Sequence, residues 1–260
     1  MKSIMGVGRL LDRPMVLAGA EEAKKGNPFY NTEGMKAPVQ TFEDRHIDPS
    51  SVTQALASAA RNRGAKIARH TLITGAARKG DMWRLTTDML AEHVVIAAGS
   101  YAYQVGAWFG VKIPLVSCLH HYLVTDTVPE FLGRPELPMM RENSFGGYIR
   151  QEQKSGLIGI YEGLACPTVW TMPDAAPWQA ENELFDADYD AIGDFHMRAF
   201  DRKPILAELG IKRVVCGAIT HTSDGGTLVG PSGARNVWLA RGSSIGLAGA
   251  AVRGKLWPNG

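Results

Sequence analysis

The 260-residue chain is 45% hydrophobic and 21% charged, with a formal net charge of +2, the balance of a globular protein long enough to bury a real core. That charge is too small to drive binding to nucleic acid or to an anionic membrane, and Lys and Arg form no run of five or more. Cys118, Cys166 and Cys216 make no CxxC pair, and an odd count argues against a disulfide framework and for a reducing compartment.

The opening stretch MKSIMGVGRLLDRPMVLAG mixes basic and apolar residues without a continuous apolar segment. Neither a secretory signal nor a membrane span is expected there, and the expected location is the cytoplasm or the mitochondrial matrix. Within it, Gly6-Val7-Gly8-Arg9-Leu10-Leu11 approaches a dinucleotide-binding G-x-G-x-x-G turn but lacks the third glycine and a preceding strand. Residues 20–26 read as a short helix closed by Gly26, and 27–48 as loop rich in Pro, Gly, Asn and acids. Val52, Leu56 and Ala59 at helical spacing predict a helix from Ser50 to Arg63, with Gly64 as its stop. Ala65–Ile73 then predicts a strand, Gly80 a turn, and Met82–Thr87 the hairpin partner. His93–Ala98 (HVVIAA), followed by Gly99, has the pattern of a short, buried strand of a parallel sheet.

From Leu115 the pattern changes. LVSCLHHYLVTD, GGYIRQE and SGLIGIYEG alternate apolar and polar residues between Pro/Gly/Asn turns, which predicts an antiparallel meander. A helix follows over 188–200, stopping near Pro204, then strands at 213–219 and 236–240. Residues 237–255, VWLARGSSIGLAGAAVRGK, read as strand, small-residue loop and helix, an arrangement that offers backbone N–H groups to a dinucleotide or flavin. The whole is a mixed α/β chain: a partial parallel sheet with helices over residues 1–110, an inserted antiparallel sheet with a helix over 111–212, and a return to the first layer over 213–260.

Three aromatic positions carry the chemistry of the meander. His120 and His121 are neighbours on a strand and face opposite sides, so this pair alone cannot chelate one metal, and no HExxH or carboxylate cluster supports a metal site. Tyr148 and Tyr161 lie on the strands that follow, Tyr148 two residues before Arg150. A tyrosine hydroxyl can donate to a substrate carboxylate, and an arginine can clamp it bidentately. A lone sheet tyrosine usually fills core; the recurrence of His120, Tyr148 and Tyr161 on neighbouring strands is what marks a site. Elsewhere, Gly242-Ser243-Ser244-Ile245-Gly246 sets Ser244 where a nucleophile elbow would, but cofactor binding explains more of that string. Asp224-Gly225 reads as a structural turn.

The segments EEAKKGNPFYNTEGM (21–35), HIDPSSVTQALASAARNRGAKI (46–67), HVVIAAGSYAYQVG (93–106), PLVSCLHHYLVTD (114–126), YIRQE (148–152), GIYE (159–162), TSDGGTLVGP (222–231) and ARGSSIGLAG (240–249) together resemble the FAD-dependent dimethylglycine/sarcosine dehydrogenase-like family of the D-amino-acid-oxidase-like flavoproteins. The resemblance implies oxidative demethylation of a small N-methyl glycine-type amine, with hydride passing to flavin. It implies His120 and Tyr148 as pocket residues, with Tyr161 lining the same cavity. It also implies Ile73 beside the adenine, Ala98 and Gly99 beside the FAD phosphates and ribose, and Gly242, Ser243, Ser244, Ile245, Gly246 and Leu247 over the isoalloxazine. The departures are His121 for a usual Gln, Arg45 for a glycine, Ile219 for an acid, and Ala251-Val252-Arg253 in a stretch that is usually glycine-rich. The G-x-G-x-x-G unit of the family has no counterpart here, so the chain is expected to be a fragment that holds FAD weakly or not at all. Exposed sheet edges are then expected to encourage self-association. The alternative expectation is a non-catalytic remnant or binding module.

Overall fold

A computed structural model describes residues 2–10, 12–13, 15–36, 38–42, 44, 46–161, 168–170, 184–241 and 246–247. In chain order its elements are α1 (Lys2–Leu10), β1 (Met15–Leu17), α2 (Ala20–Gly26), β2 (Val39–Thr41), α3 (Pro49–Asn62), β3 (Ala76–Lys79), β4 (Met82–Leu85), β5 (Leu90–Ala91) and β6 (Val94–Ile96). They continue with α4 (Ala102–Ala107), β7 (Val116–Thr127), β8 (Met140–Glu142), β9 (Gly147–Glu152), β10 (Ser155–Ile160), β11 (Val169–Trp170), α5 (Tyr189–Arg202), β12 (Ile211–His221), β13 (Leu228–Pro231) and β14 (Val237–Arg241). Two compact units result, one of Met1–His46, His120–Pro167 and Phe185–Cys216, the other of Ile47–Leu119, Thr168–Leu184 and Gly217–Gly260. Among the described residues no helix is long and apolar enough to cross a membrane.

In the first unit the meander forms as its alternation predicts. β7, β10, β9 and β8 lie in that order with every pair antiparallel, and β12 joins the far side of β7. Pairing aligns Met140, Ile149, Ile158 and Leu123 in one row across four strands, and the last three are at most 1% exposed. Helix α5 covers this face, presenting Ile192, His196 and Ala199 at i, i+4 and i+7. Asp188 caps the helix by accepting from the Ala191 N–H at 3.0 Å, and Pro204 bars its continuation past Lys203. Gly156 is required where Leu206 meets the sheet, since a Cβ there would lie 2.5 Å from the leucine Cδ2.

Two cations finish this unit. The largely buried Arg202 guanidinium pairs with both oxygens of Glu142 at 2.7 and 2.8 Å, and its Nη1 donates to the Asn31 and Glu33 carbonyls at 2.6 and 3.0 Å. One side chain thereby ties the N-terminal loop and β8 to the end of α5. Lys203, 0% exposed, sets its ammonium 5.1 Å from the Tyr30 ring centroid and 4.8 Å from that of Phe131, without a hydrogen-bond partner among the described residues. Burial lowers its pKa to about 8. Burial likewise raises the pKa of the Tyr30 hydroxyl, which donates to the Ile149 carbonyl at 3.2 Å.

In the second unit β6 and β14 pair in parallel with β13 outside β14, and β3, β4 and β5 form a separate antiparallel sheet. Trp83 packs edge-on against Phe109 at 4.8 Å between centroids, within a core that includes Ile96, Ala102, Val111, Ile113 and Val237, and its Nε1 donates to the Arg235 carbonyl at 3.1 Å. Asp48 caps α3 through the Ser51 N–H at 2.7 Å, and Gly64 takes φ +90°, the left-handed stop that the sequence predicts.

Several expectations are corrected. Residues 65–73 form no strand; the hairpin strand is β3, shifted to Ala76–Lys79, because only there does β4 offer pairing partners. β6 is shorter than His93–Ala98, and Val95 is 46% exposed, since β14 pairs with it on one side only. α3 buries no residue and leaves Leu56 58% exposed, so its apolar stripe has no covering element among the described residues. α1 and the β1–β2 ladder carry no signal the pattern reading uses: the paired strands are three residues long and far apart in sequence.

Replacing Arg202 by Met should lower stability by about 3 kcal/mol in urea unfolding, because it strands the Glu142 carboxylate and two carbonyls. Lys203→Met should act oppositely at pH 7. The folded-state pKa of Lys203 is depressed, so the unfolded chain binds the extra proton between about pH 8 and 10.5 and stability rises with pH through that window. The variant should be about 2 kcal/mol more stable than the parent at pH 7 and should lose that pH slope. An unchanged slope would show that Lys203 is not its source.

Candidate functional site

One residue beyond the core row, the same strand register aligns Arg141, Tyr148, Gly159 and Tyr122 across β8, β9, β10 and β7. Alternation turns this row to the face opposite α5. Tyr161 and His120 continue the face, with ring centroids 5.8 Å apart and edge-on, and Tyr161 lies 6.0 Å from Tyr148. The three residues singled out from the sequence as catalytic candidates are thus neighbours on one face of the first unit. His120 is 7% exposed, whereas Tyr148 and Tyr161 are half-buried. His121 turns the other way, is also buried, and its Nε2 accepts from the Asp188 N–H at 3.2 Å. This histidine braces the start of α5.

Glycine makes room for the phenol. Gly159 lies directly opposite Tyr148, and a Cβ built on it would lie 2.1 Å from the Tyr148 Cζ. The ring therefore packs against the bare backbone of β10. Gly146, at φ +66°, accepts from the Tyr161 N–H at 2.8 Å and turns the chain into β9. Burial raises the Tyr148 pKa, the neighbouring Tyr161 adds to the rise, and Arg150 and Arg141 oppose it. The hydroxyl stays protonated near neutral pH and is a hydrogen-bond donor.

Charge on this face divides unevenly. Arg150, the clamp expected from the sequence, pairs with Glu152 at 2.5 Å and donates to the Gln151 carbonyl at 3.1 Å. Arg141 instead lies 5.0 Å above the Tyr161 ring. Sequence reasoning missed Arg141, Tyr122 and Gly159. The period-2 spacing of Tyr122 from His120 was a usable signal; the other two become neighbours of Tyr148 only through strand register.

The expected cofactor residues belong to the second unit. Ala98 and Gly99 follow the carboxyl end of β6, where Gly99 takes φ +55° with nothing within 4 Å of its missing Cβ. β14 leaves the sheet beside β6 in the same direction, and Gly246 and Leu247 beyond it are helical. The carboxyl ends of adjacent parallel strands are where open α/β sheets bind ligands, and an open left-handed glycine leaves backbone accessible there. These residues fit a nucleotide-bearing cofactor. Ile73 is half-buried in irregular chain leading to β3. Gly242, Ser243, Ser244 and Ile245 lie outside the described residues, as do Arg45, Cys166 and Ala251-Val252-Arg253.

Comparison with known proteins agrees with this architecture. The family model for DAO, FAD dependent oxidoreductase, matches residues 6–256. Mitochondrial dimethylglycine dehydrogenase of Mus musculus is 35% identical over 88% of this chain and 27% of its own length, and mitochondrial sarcosine dehydrogenase of Mus musculus is 29% identical over 88% and 25%. The chain spans about a quarter of the length of these curated relatives. Among solved structures, L-proline dehydrogenase from P. horikoshii superposes with a TM-score of 0.79 at 22% identity, over 96% of this chain and 65% of that one. The mixed α/β fold and the family match over nearly the whole sequence lead to one conclusion: the chain belongs to the FAD-dependent oxidoreductase family.

Proposed function

We propose that this chain takes part in the FAD-dependent oxidation of a small N-methyl glycine-type amine of the sarcosine or dimethylglycine class. The observation that supports it best is the convergence of His120, Tyr148 and Tyr161 on one sheet face in a chain whose curated relatives are dimethylglycine and sarcosine dehydrogenases. When bound, FAD supplies a two-electron acceptor for the carbon beside the amine nitrogen. Ala98, Gly99, Gly242, Ser243, Ser244, Ile245, Gly246 and Leu247 would hold it, with Ile73 near the adenine.

The chain's own residues prepare the substrate. Only the free amine has a lone pair to stabilise the cation left when a hydride departs, so the ammonium must first lose a proton. The His120 imidazole is the acceptor on this face. Tyr148 remains protonated and donates its hydroxyl hydrogen to the substrate, fixing its orientation, while the Tyr161 ring shields one side of the space from water. Methyl-group discrimination between sarcosine and dimethylglycine amounts to only about 1–3 kcal/mol in such a pocket.

At saturating FAD, dimethylglycine or sarcosine should bleach the flavin absorbance anaerobically. Desalting should strip the flavin, because the sequence carries no G-x-G-x-x-G turn to cradle its pyrophosphate. His120→Ala and Tyr148→Phe should each slow bleaching by about 10²-fold. No bleaching at saturating FAD by a folded sample would overturn the reading and favour a binding module. Gly159→Ala should leave the far-UV spectrum intact yet cost about 10-fold in bleaching rate, because the added methyl displaces the Tyr148 ring. Adding Tyr148→Ser to Gly159→Ala should remove any further effect of the alanine.

A further inference from the structure

We propose that Trp170 is a positioning residue for the cofactor edge of the second unit, holding the Gly99 turn through the ring of Tyr101. FAD as the ligand of that edge is taken from the reading above; the amine chemistry is not. Gly99–Tyr101 is a three-residue 3₁₀ turn between β6 and α4, with Gly99 at φ +55°. Backbone bonds close it, from the Tyr101 N–H to the Ala98 carbonyl at 3.0 Å and from the Ala102 N–H to the Gly99 carbonyl. Its side chains are gripped from two sequence-distant strands. The Tyr101 ring meets Trp170 of β11 edge-on, with centroids 6.1 Å apart and planes at 87°. The Ser100 hydroxyl lies 3.4 Å from that of Thr220 on β12. All of these residues belong to the second unit.

β11 adds little burial of its own. It is two residues long, and Val169 is 56% exposed. Backbone pairing with Ser117 and Cys118 of β7 sets its place, and the Leu119 N–H donates to the Thr168 carbonyl at 2.9 Å. Among the described residues, the core of the unit gathers instead around Trp83, Ile96, Ala102, Phe109 and Val237, and neither Tyr101 nor Trp170 is part of it. What β11 delivers is a half-buried indole against the turn. A glycine turn left to itself samples both signs of φ, and ordering it on binding costs affinity. Two stiff rings packed edge to face remove that cost beforehand. Tyr101 is part of the turn, and Trp170 holds Tyr101.

The test is an equilibrium titration of the full chain with FAD, read by quenching of flavin fluorescence. Trp170→Ala should raise the FAD Kd by about 3- to 10-fold, the ratio that loss of one edge-to-face pair implies. Trp170→Phe, which keeps a ring edge, should stay within about twofold of the parent. Tyr101→Ala should cost at least as much as Trp170→Ala. Adding Trp170→Ala to Tyr101→Ala should then change Kd by less than about twofold, as expected of a residue that acts through another. Urea unfolding of Trp170→Ala should stay cooperative with the slope of the parent. No FAD binding by the parent, parent-like affinity in Trp170→Ala, additive losses in the double variant, or loss of cooperative unfolding overturns the proposal. If FAD affinity depends on Trp170 in this way while dimethylglycine and sarcosine leave the flavin oxidised, the oxidation reading fails and this one stands. Bleaching by either amine with FAD affinity indifferent to Trp170 has the opposite meaning.

Discussion

The register of the four-strand meander sets both the inside and the working face of the first unit. Side chains on a strand alternate, so one set of pairings assigns two rows at once. Alignment of Met140, Ile149, Ile158 and Leu123 buries an apolar band beneath α5, and the next row, Arg141, Tyr148, Gly159 and Tyr122, has no choice but to face away from it. Exchanging the two rows would place an arginine and two tyrosines in the core and turn Met140, Ile149, Ile158 and Leu123 outside. Burial of that aliphatic row is worth several kcal/mol at ~25 cal/mol per Å², and the same energy that closes the core therefore holds the aromatic constellation in line.

Charge is distributed along the same logic. Glu142 and Glu152 sit on β8 and β9, and each is matched to an arginine that the fold needs for another purpose, Arg202 to tie the N-terminal loop and Arg150 to hold the end of its own strand. Lys203 is tolerated in the core only because two aromatic rings partly replace water around its ammonium. Arg141 lies over the Tyr161 ring and has no carboxylate partner among the described residues, as Arg134 over Phe29 and Arg198 over Phe195 also do.

The second unit contributes a different device. Where β6 ends beside β14, Gly99 supplies a left-handed conformation that keeps a Cβ away from the opening. Parallel neighbours run in the same direction, so their carboxyl ends share one edge.

How much of this was legible in the chain itself varies by element. The meander and helices α3 and α5 were readable because period-2 alternation, Asp caps, and Gly or Pro stops are local signals that tertiary packing reinforces. The strand expected over 65–73 was not there, since an apolar run forms a strand only where a partner offers hydrogen bonds, and β4 offers them to Ala76–Lys79. Val95 shows the same limit: an apolar strand reads as buried until the sheet supplies a neighbour on only one side. For the site, His120, Tyr148 and Tyr161 could be named from their recurrence on successive strands, and the fold sets their rings within about 6 Å of one another in sequence-distant pairs. Gly159 and Arg141 could not, because what they do depends on lying opposite Tyr148. Composition and alternation determine which side chains a strand turns to each face; only pairing between strands decides which of them meet.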